Sequence, residues 1–271
     1  MKDLKGSVAV VTGAASGIGK ATAEALAREG ADLVITDVNE AGLQETGERI
    51  RTLGRKVLAE RSDVARREEV ESLSKRVFEE VGHVDILMNN AGVGLAAEIK
   101  DMELSDWEWI LGINLWGAIH TLHYFLPHMV DRRSGHIVNV ASGAGLVGLP
   151  VSGAYSVTKF GLVGLSEVLR TELERFHIGV TAVCPGVVKT NIFNATRTRK
   201  FRPEVTQLPD YVGTTPERAA QHIVRAIRKN QAVLVLTPFA KVSYALKRIS
   251  PALGRQIAKG IHRGFLKHKI E

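Results

Sequence analysis

Short apolar runs alternate with amphipathic helical patterns along almost the whole chain, and few folds accept that rhythm. The apolar runs lie at 7–12, 32–36, 56–60, 86–89, 136–140, 179–183 and 232–236. Helical periodicity fills the gaps at 21–29, 40–53, 68–81, 107–130, 155–176 and 216–229. Strands that are apolar nearly throughout must be covered on both faces, as in a parallel sheet whose crossovers are helices. Seven such strands with no Pro- or Ser-rich linker predict one doubly wound α/β domain over residues 1–240. Residues 241–271 are of another kind. They hold eight Lys and Arg against one acid, whereas residues 1–240 carry 28 of each sign. The net charge of +7 therefore belongs to the tail. A neutral body predicts no nucleic-acid partner, because such a partner calls for a basic face.

Cysteine usage narrows the setting. Cys184 is the only cysteine, so neither an internal disulfide nor a cysteine zinc site can form, and a cytoplasmic, reducing compartment is expected. The first 13 residues contain a four-residue apolar run, 8–11, too short for a signal peptide. No apolar run approaches the roughly 20 residues that span a bilayer.

Two constellations carry chemistry. Between the first strand and the first helix stands Gly13-Ala-Ala-Ser16-Gly17-Ile18-Gly19. Glycines there let the backbone turn tightly and approach a pyrophosphate, while the helix N-terminus offers free N–H groups. A glycine cluster alone is only a tight turn; the strand–turn–helix context and Asp37, after the second strand, make it a dinucleotide site. A carboxylate at Asp37 suits the adenosine ribose hydroxyls and repels a 2′-phosphate. Val38 and Ser16 offer no compensating positive charge, so NAD is expected over NADP. The second constellation is Ser142, Tyr155 and Lys159. Tyr155 and Lys159, at i and i+4, share one helical face. A phenol is a poor base at neutral pH, and a nearby ammonium is expected to lower its pKa.

Together these residues resemble the short-chain dehydrogenase/reductases in their single-domain branch. The likeness runs from about Leu4 to Leu236, through the glycine motif, Asp63-Val64, Asn89-Asn90-Ala91-Gly92, Asn114, Ser142, Tyr155-Ser-Val-Thr-Lys159 and Pro185-Gly-Val-Val-Lys-Thr190. It implies a doubly wound, parallel, seven-stranded Rossmann-type sheet with helices on both faces, followed here by a helical basic tail. It implies Tyr155 as acid/base, Lys159 on the nicotinamide ribose, Ser142 on the substrate oxygen, and Asn114 holding a water in a proton relay. Asp63 and Val64 would meet the adenine, while Asn90, Ala91 and Gly92 would line the cofactor path. The segment from Pro185 and Gly186 through Val188 to Thr190 would hold the carboxamide. No metal is implied, although His120, His123 and His128 share one predicted helix. Homodimers or homotetramers through helices 107–130 and 155–176 are implied as well.

The substrate is less determined. Residues 143–150 read Gly-Ala-Gly-Leu-Val-Gly-Leu-Pro, an apolar lining that favours a lipophilic secondary alcohol or ketone over a sugar. The loop between Thr190 and Pro216 holds Asn191-Ile-Phe-Asn194 and then Arg197, Arg199, Lys200 and Arg202. Those bases could greet an acyl thioester or simply face water. A 3-oxoacyl thioester reductase is the alternative enzyme; a catalytically silent, cofactor-binding regulatory protein is the alternative of another class. Trp107, Trp109 and Trp116 are expected to pack a helix interface, and Cys184 to be a small buried residue. In the tail, Leu253, Ile257, Ile261 and Phe265 fall on one side of a helix over 253–269, with Arg255, Lys259, Arg263 and Lys267 opposite. That pattern suits peripheral contact with an anionic membrane or docking on the protein itself.

Overall fold

The computed structural model describes residues 3–190, 192, 196–202 and 213–270, without the Ile257 side chain. β1 (Val8–Thr12), α1 (Gly17–Arg28), β2 (Asp32–Asp37), α2 (Glu40–Thr52), β3 (Val57–Arg61), α3 (Arg67–Glu80) and β4 (Ile86–Asn89) come first. The short β5 (Leu95–Ala96), α4 (Leu104–Leu111), α5 (Gly117–Arg132), β6 (Gly135–Val140), α6 (Gly153–Leu173) and β7 (Ile178–Cys184) follow. The chain continues with β8 (Arg197–Thr198), α7 (Pro216–Arg228), β9 (Val233–Val235), α8 (Pro238–Ile249) and α9 (Pro251–Leu266). Seven strands form one parallel sheet in the order β3-β2-β1-β4-β6-β7-β9. Each lies within one residue, at either end, of its expected run. The sheet is the doubly wound Rossmann type.

Both faces of the inner strands are mostly apolar, because alternate side chains of a strand covered on both sides meet helices on either face. In β1, Ala9 and Val11 meet Leu26, Leu43 and Ile227 from α1, α2 and α7 in one core. Val8 and Val10 join the other, built with Val77, Phe125 and Leu169 from α3, α5 and α6. Winding proceeds from β1 outward to β3 and then returns to β4. The β1/β4 boundary is thus the switch point, where a crevice opens beyond the strand ends.

Two expectations need correction. Residues 107–130 do not form one helix: α4 and α5 are joined by a π-helical turn, Gly112–Trp116. Asn114 lies in that wider turn and is described below. The tail contains an additional helix, α8, where no helix was expected. Thr237 caps α8 by accepting from the Ala240 N–H, Ser250 caps α9 through the Leu253 N–H, and Pro238 and Pro251 open the two helices. Proline suits a first turn because its missing N–H would have no partner there. Among the described residues, no helix is long and apolar enough to cross a membrane.

Candidate active site

At the switch point the chain leaves β1 through Gly13, φ 67°, and enters α1 at Gly17, φ 56°. Side chains are strained in that left-handed region. Space is as restrictive: a Cβ on Gly13 would stand 2.8 Å from Ala91 Cα, and one on Gly19 would overlap the Gly13 carbonyl oxygen. β4 braces the turn. Thr12 Oγ1 accepts from the Asn90 and Ala91 N–H groups at 3.0 and 3.1 Å. Asn90 Nδ2 donates to the Thr12 and Gly13 carbonyls at 2.9 and 3.0 Å. Thr12 was no candidate from sequence, yet its hydroxyl organises the turn.

The cradle fits a dinucleotide. Ser16 makes no side-chain cap at α1 and no acid stands in the first turn, so the helix end keeps its N–H groups and positive dipole for an anion. Asp37 stands across from the turn, its carboxylate accepting from the Ala15 and Asn39 N–H groups at 3.0 Å each. Ile18 follows Gly17 in the same first turn. Further along the strand ends, Asp63 accepts from the Ala65 N–H at 3.0 Å. Val64 is buried, and its carbonyl accepts from His120 Nδ1 at 2.9 Å. His128 instead stacks on Phe78 and His123 meets Tyr124 edge-on, so the three histidines do not converge.

The residues expected to do chemistry gather on the other side of β4. Asn114 is buried in the π turn: its Oδ1 accepts from the Val93 N–H at 2.8 Å, and its Nδ2 donates to the Val93 carbonyl at 2.9 Å and Thr158 Oγ1 at 3.2 Å. The extra residue of a π turn re-aims side chains, which turns Asn114 inward. A Cβ on Gly92 would lie 3.3 Å from Asn114 Oδ1 and 3.4 Å from Lys159 Nζ, so these two groups meet at Gly92. Lys159 is 3% exposed, and its Nζ donates to the Val140 carbonyl at 2.9 Å. Burial pulls its ammonium down to about 8. The same Nζ lies 5.6 Å from the centre of the Tyr155 ring. Burial pushes the Tyr155 phenol above its ordinary value, and the Ser142 hydroxyl opposes that rise. The Lys159 ammonium is turned to the Val140 carbonyl, and burial, opposed by Ser142, sets the direction of the phenol shift. Ser142 begins a short 3-10 turn by accepting from the Ala144 N–H at 3.1 Å.

The segment after β7 closes over both groups. Pro185 O accepts from the Gly143 N–H at 2.6 Å, and a Cβ on Gly186 would collide with the Thr237 side chain. Val188 pairs with Thr214 through its neighbours, Lys189 N–H to Thr214 O and Thr214 N–H to Val187 O. The N–H and C=O of Val188 stay out of that pairing. A Cβ on Gly17 would stand 3.1 Å from Thr190 Cγ2, which puts Thr190 over the glycine turn. Cys184, fully buried, is pushed up to about 12 by that burial, so it stays a thiol.

Known proteins are similar to this chain in sequence and fold. The model of the short chain dehydrogenase family matches residues 7–200. SadH of Mycobacterium tuberculosis, named as an oxidoreductase, is 35% identical over 272 residues, 98% of this chain and 99% of its own length. This chain is a short-chain dehydrogenase/reductase. EphD of the same species, also named as an oxidoreductase, is 35% identical over 260 residues, but the present dehydrogenase/reductase spans only 44% of its length. A solved short chain dehydrogenase/reductase from Burkholderia phymatum, in complex with NAD, superposes with a TM-score of 0.84 at 31% identity, covering 93% of this chain and 96% of that one. The family uses NAD(P), acts on small molecules and is commonly oligomeric.

The substrate side of this dehydrogenase/reductase agrees with expectation only in part. Of the bases after Thr190, Arg197, Lys200 and Arg202 are exposed, as the solvated reading expected, while Arg199 is half-buried. Arg197 lies over the Trp109 ring at 3.7 Å. Arg199 binds both oxygens of Asp106, at 3.0 and 3.1 Å, and reaches Glu103. Lys200 faces Asp101 at 3.8 Å, and the Arg202 N–H donates to the His268 carbonyl at 3.0 Å. Asn191, Phe193 and Asn194 lie outside the described residues. β8 pairs in parallel with β5, so the loop is stitched to the strand it faces.

The tail completes this wall. Phe265 packs with Ala96, Val151 and Phe201. Lys269 pairs with Glu98 and, at 3.0 Å, with Asp101, while His262 reaches Glu98 at 3.1 Å. The expected apolar stripe is thus divided: Ile261 and Phe265 are half-buried and Leu253 is exposed. Val151 sits at φ 65°, a left-handed conformation that costs a β-branched residue roughly 1–2 kcal/mol. The Ala97 N–H, donating to its carbonyl at 2.7 Å, and the packing of Phe201 and Phe265 hold it there.

Proposed function

We propose that this enzyme moves a hydride between NAD(H) and a lipophilic secondary alcohol or ketone, with Tyr155 exchanging the proton. The observation that carries the substrate class is the packing around Tyr155. Leu95, Ile110 and Ala154 are buried there, with Val93, Trp107 and Trp109 half-buried against them. An apolar wall with Ser142 and Tyr155 as the hydrogen-bonding groups suits a carbonyl or hydroxyl on a hydrocarbon frame. The nicotinamide cofactor, when bound, supplies or accepts the hydride. Ser142 holds the substrate oxygen, and the Tyr155 phenol donates its proton to that oxygen in reduction or takes one in oxidation. A phenol raised by burial keeps its proton at neutral pH and is ready as the acid. Lys159 carries its charge near the ring, and Asn114, which meets it at Gly92, is the residue proposed to hold a water that relays the proton. A rigidly held set gains rate mainly by position.

NAD is proposed over NADP. The Asp37 carboxylate, at the end of β2, would repel a 2′-phosphate. Arg61, its register partner on β3, is engaged by Glu40 at 3.8 Å and Glu69 at 2.9 Å. The Burkholderia phymatum relative, solved with NAD, supports the same choice. The thioester-reductase reading is less favoured, since Arg199 is held by Asp106 and Glu103 and Arg197 lies over Trp109. Assembly as a homodimer or homotetramer through α5 and α6 is part of the proposal, supported by exposed Trp116, Val157 and Val168 on and beside those helices. The test is titration of both cofactors, followed by turnover on a panel running from polyols to long-chain secondary alcohols. NAD is expected to bind at least about tenfold tighter than NADP, roughly 1.4 kcal/mol, with Asp37→Ala narrowing the gap and turnover rising with chain length. Equal affinities, or a preference for polyols, would defeat the proposal.

A further inference from the structure

The reaction leaves one surface unexplained. From Arg218 to Ile270 the chain runs 53 residues with twelve Lys and Arg and no Asp or Glu. The last part of this stretch is the packed pair α8 and α9. On α8, Ala240 is buried against the body and Tyr244 packs beside the core under α6. The opposite side carries Phe239, Val242 and Ile249, which are 69%, 57% and 82% exposed. At 100° per residue these three fall within about 80° of one another. Isolated apolar side chains on a surface are ordinary, but a stripe along one helix is not. On α9 the inward side is taken by Ile261, His262 and Phe265, and Arg255, Lys259, Arg263 and Lys267 stand exposed. None of these four, nor Lys241, has a carboxylate partner among the described residues.

Charge selects the occupant. A second copy seated symmetrically would set this basic surface against itself, and like charges facing each other across an interface cost affinity. An anionic bilayer offers both halves of what the pair presents: acyl chains for the stripe and phosphates for the bases. We infer that α8 and α9 dock the enzyme on anionic lipid, with Phe239, Val242 and Ile249 entering the headgroup boundary and the lysines and arginines meeting phosphate. The membrane-facing stripe is then on α8 rather than at 253–265, where Ile261 and Phe265 serve the fold. Because α9 through Phe265, and Lys269 just after it, also anchor the wall beside Tyr155, docking would bring that wall near the lipid.

The test reads vesicle binding and no catalysis, so it stands or fails apart from the proposed reaction. Full-length protein is sedimented with vesicles of phosphatidylglycerol and phosphatidylcholine in equal parts, and with pure phosphatidylcholine. Expected are pelleting with the anionic vesicles alone and release in roughly 0.5 M salt. Arg255→Ala/Lys259→Ala/Arg263→Ala should weaken binding on the order of 100-fold, and Val242→Asp/Ile249→Asp at least about tenfold. All positions are exposed, and thermal melts confirm that each variant is folded. Absence of wild-type pelleting on anionic vesicles at low salt overturns the inference, as does equal binding by folded variants. A wild-type oligomer that the double Asp variant dissociates, with no vesicle binding, overturns it in favour of a second copy.

Discussion

Around the glycine turn, close contacts run between main-chain groups or one atom removed from them. Gly13 meets Ala91, Asn90 reaches the Thr12 and Gly13 carbonyls, and Asp37 receives two N–H groups. Across the cleft, beyond the β5/β8 pairing, the wall is tied by side chains from distant parts of the chain. Arg199 and Asp106 are 93 residues apart, and Lys269 and Glu98 are 171 apart. The first arrangement leaves little freedom to side-chain identity: change a glycine and the backbone collides. The second tolerates exchange, because a different pair of side chains could hold the same loop. A cleft built this way fixes its cofactor and leaves its substrate open to variation, as loops on a rigid scaffold do elsewhere.

The contrast is most exposed to Gly19→Ala. Its Cβ would overlap the Gly13 carbonyl oxygen and crowd Asn90, so the turn must open. We expect a loss of roughly 3 kcal/mol in urea unfolding and NAD affinity down about 100-fold, or 2.7 kcal/mol. A variant with unchanged NAD affinity would show that the main chain there is not rigid. Arg199→Ala acts on the other side. It leaves Asp106, 1% exposed, without its guanidinium. Substrate KM should rise roughly tenfold through misplacement of the wall, while calorimetric NAD affinity stays as in the wild type. Parallel loss of both would mean that the two regions are one. Lys269→Ala should be milder, a change in KM below about threefold, because Lys269 is partly exposed and such pairs contribute little. His262 also remains on Glu98. A larger rise than for Arg199→Ala would make the tail the principal support of the wall.

The same division decided what the sequence revealed. The strands were legible because each is an apolar run between turn residues, and the cofactor cradle because glycine identity follows from backbone geometry. Ser142, Tyr155 and Lys159 were singled out as a chemical constellation, with their roles and Asn114 added from motif likeness, and the structure brings them to one side of β4. The π turn at Gly112–Trp116 was not legible: helical periodicity continues through it, and the Asn114–Val93 contact that accompanies it has no local sequence signal. Thr12 and Thr158 were missed since a threonine hydroxyl carries no spacing signal. The engagement of Arg197, Arg199 and Lys200 could not be read either, because nothing local says which carboxylate a base will find. α8 was overlooked although Thr237-Pro238 is a helix-start signal; with attention on the charge pattern, the tail read as a single helix.

The proposal that Tyr155 handles the proton while the cofactor is bound elsewhere by backbone is tested most directly by Tyr155→Phe. The phenyl ring keeps the packing against Trp107 and Trp109 and removes the hydroxyl beside Ser142. Turnover with NAD and a lipophilic secondary alcohol should fall by about 10² or more, and NAD affinity measured by calorimetry should stay within about twofold of wild type, under 0.5 kcal/mol. Turnover near the wild-type rate would show that another group carries the proton and that the catalytic assignment is wrong.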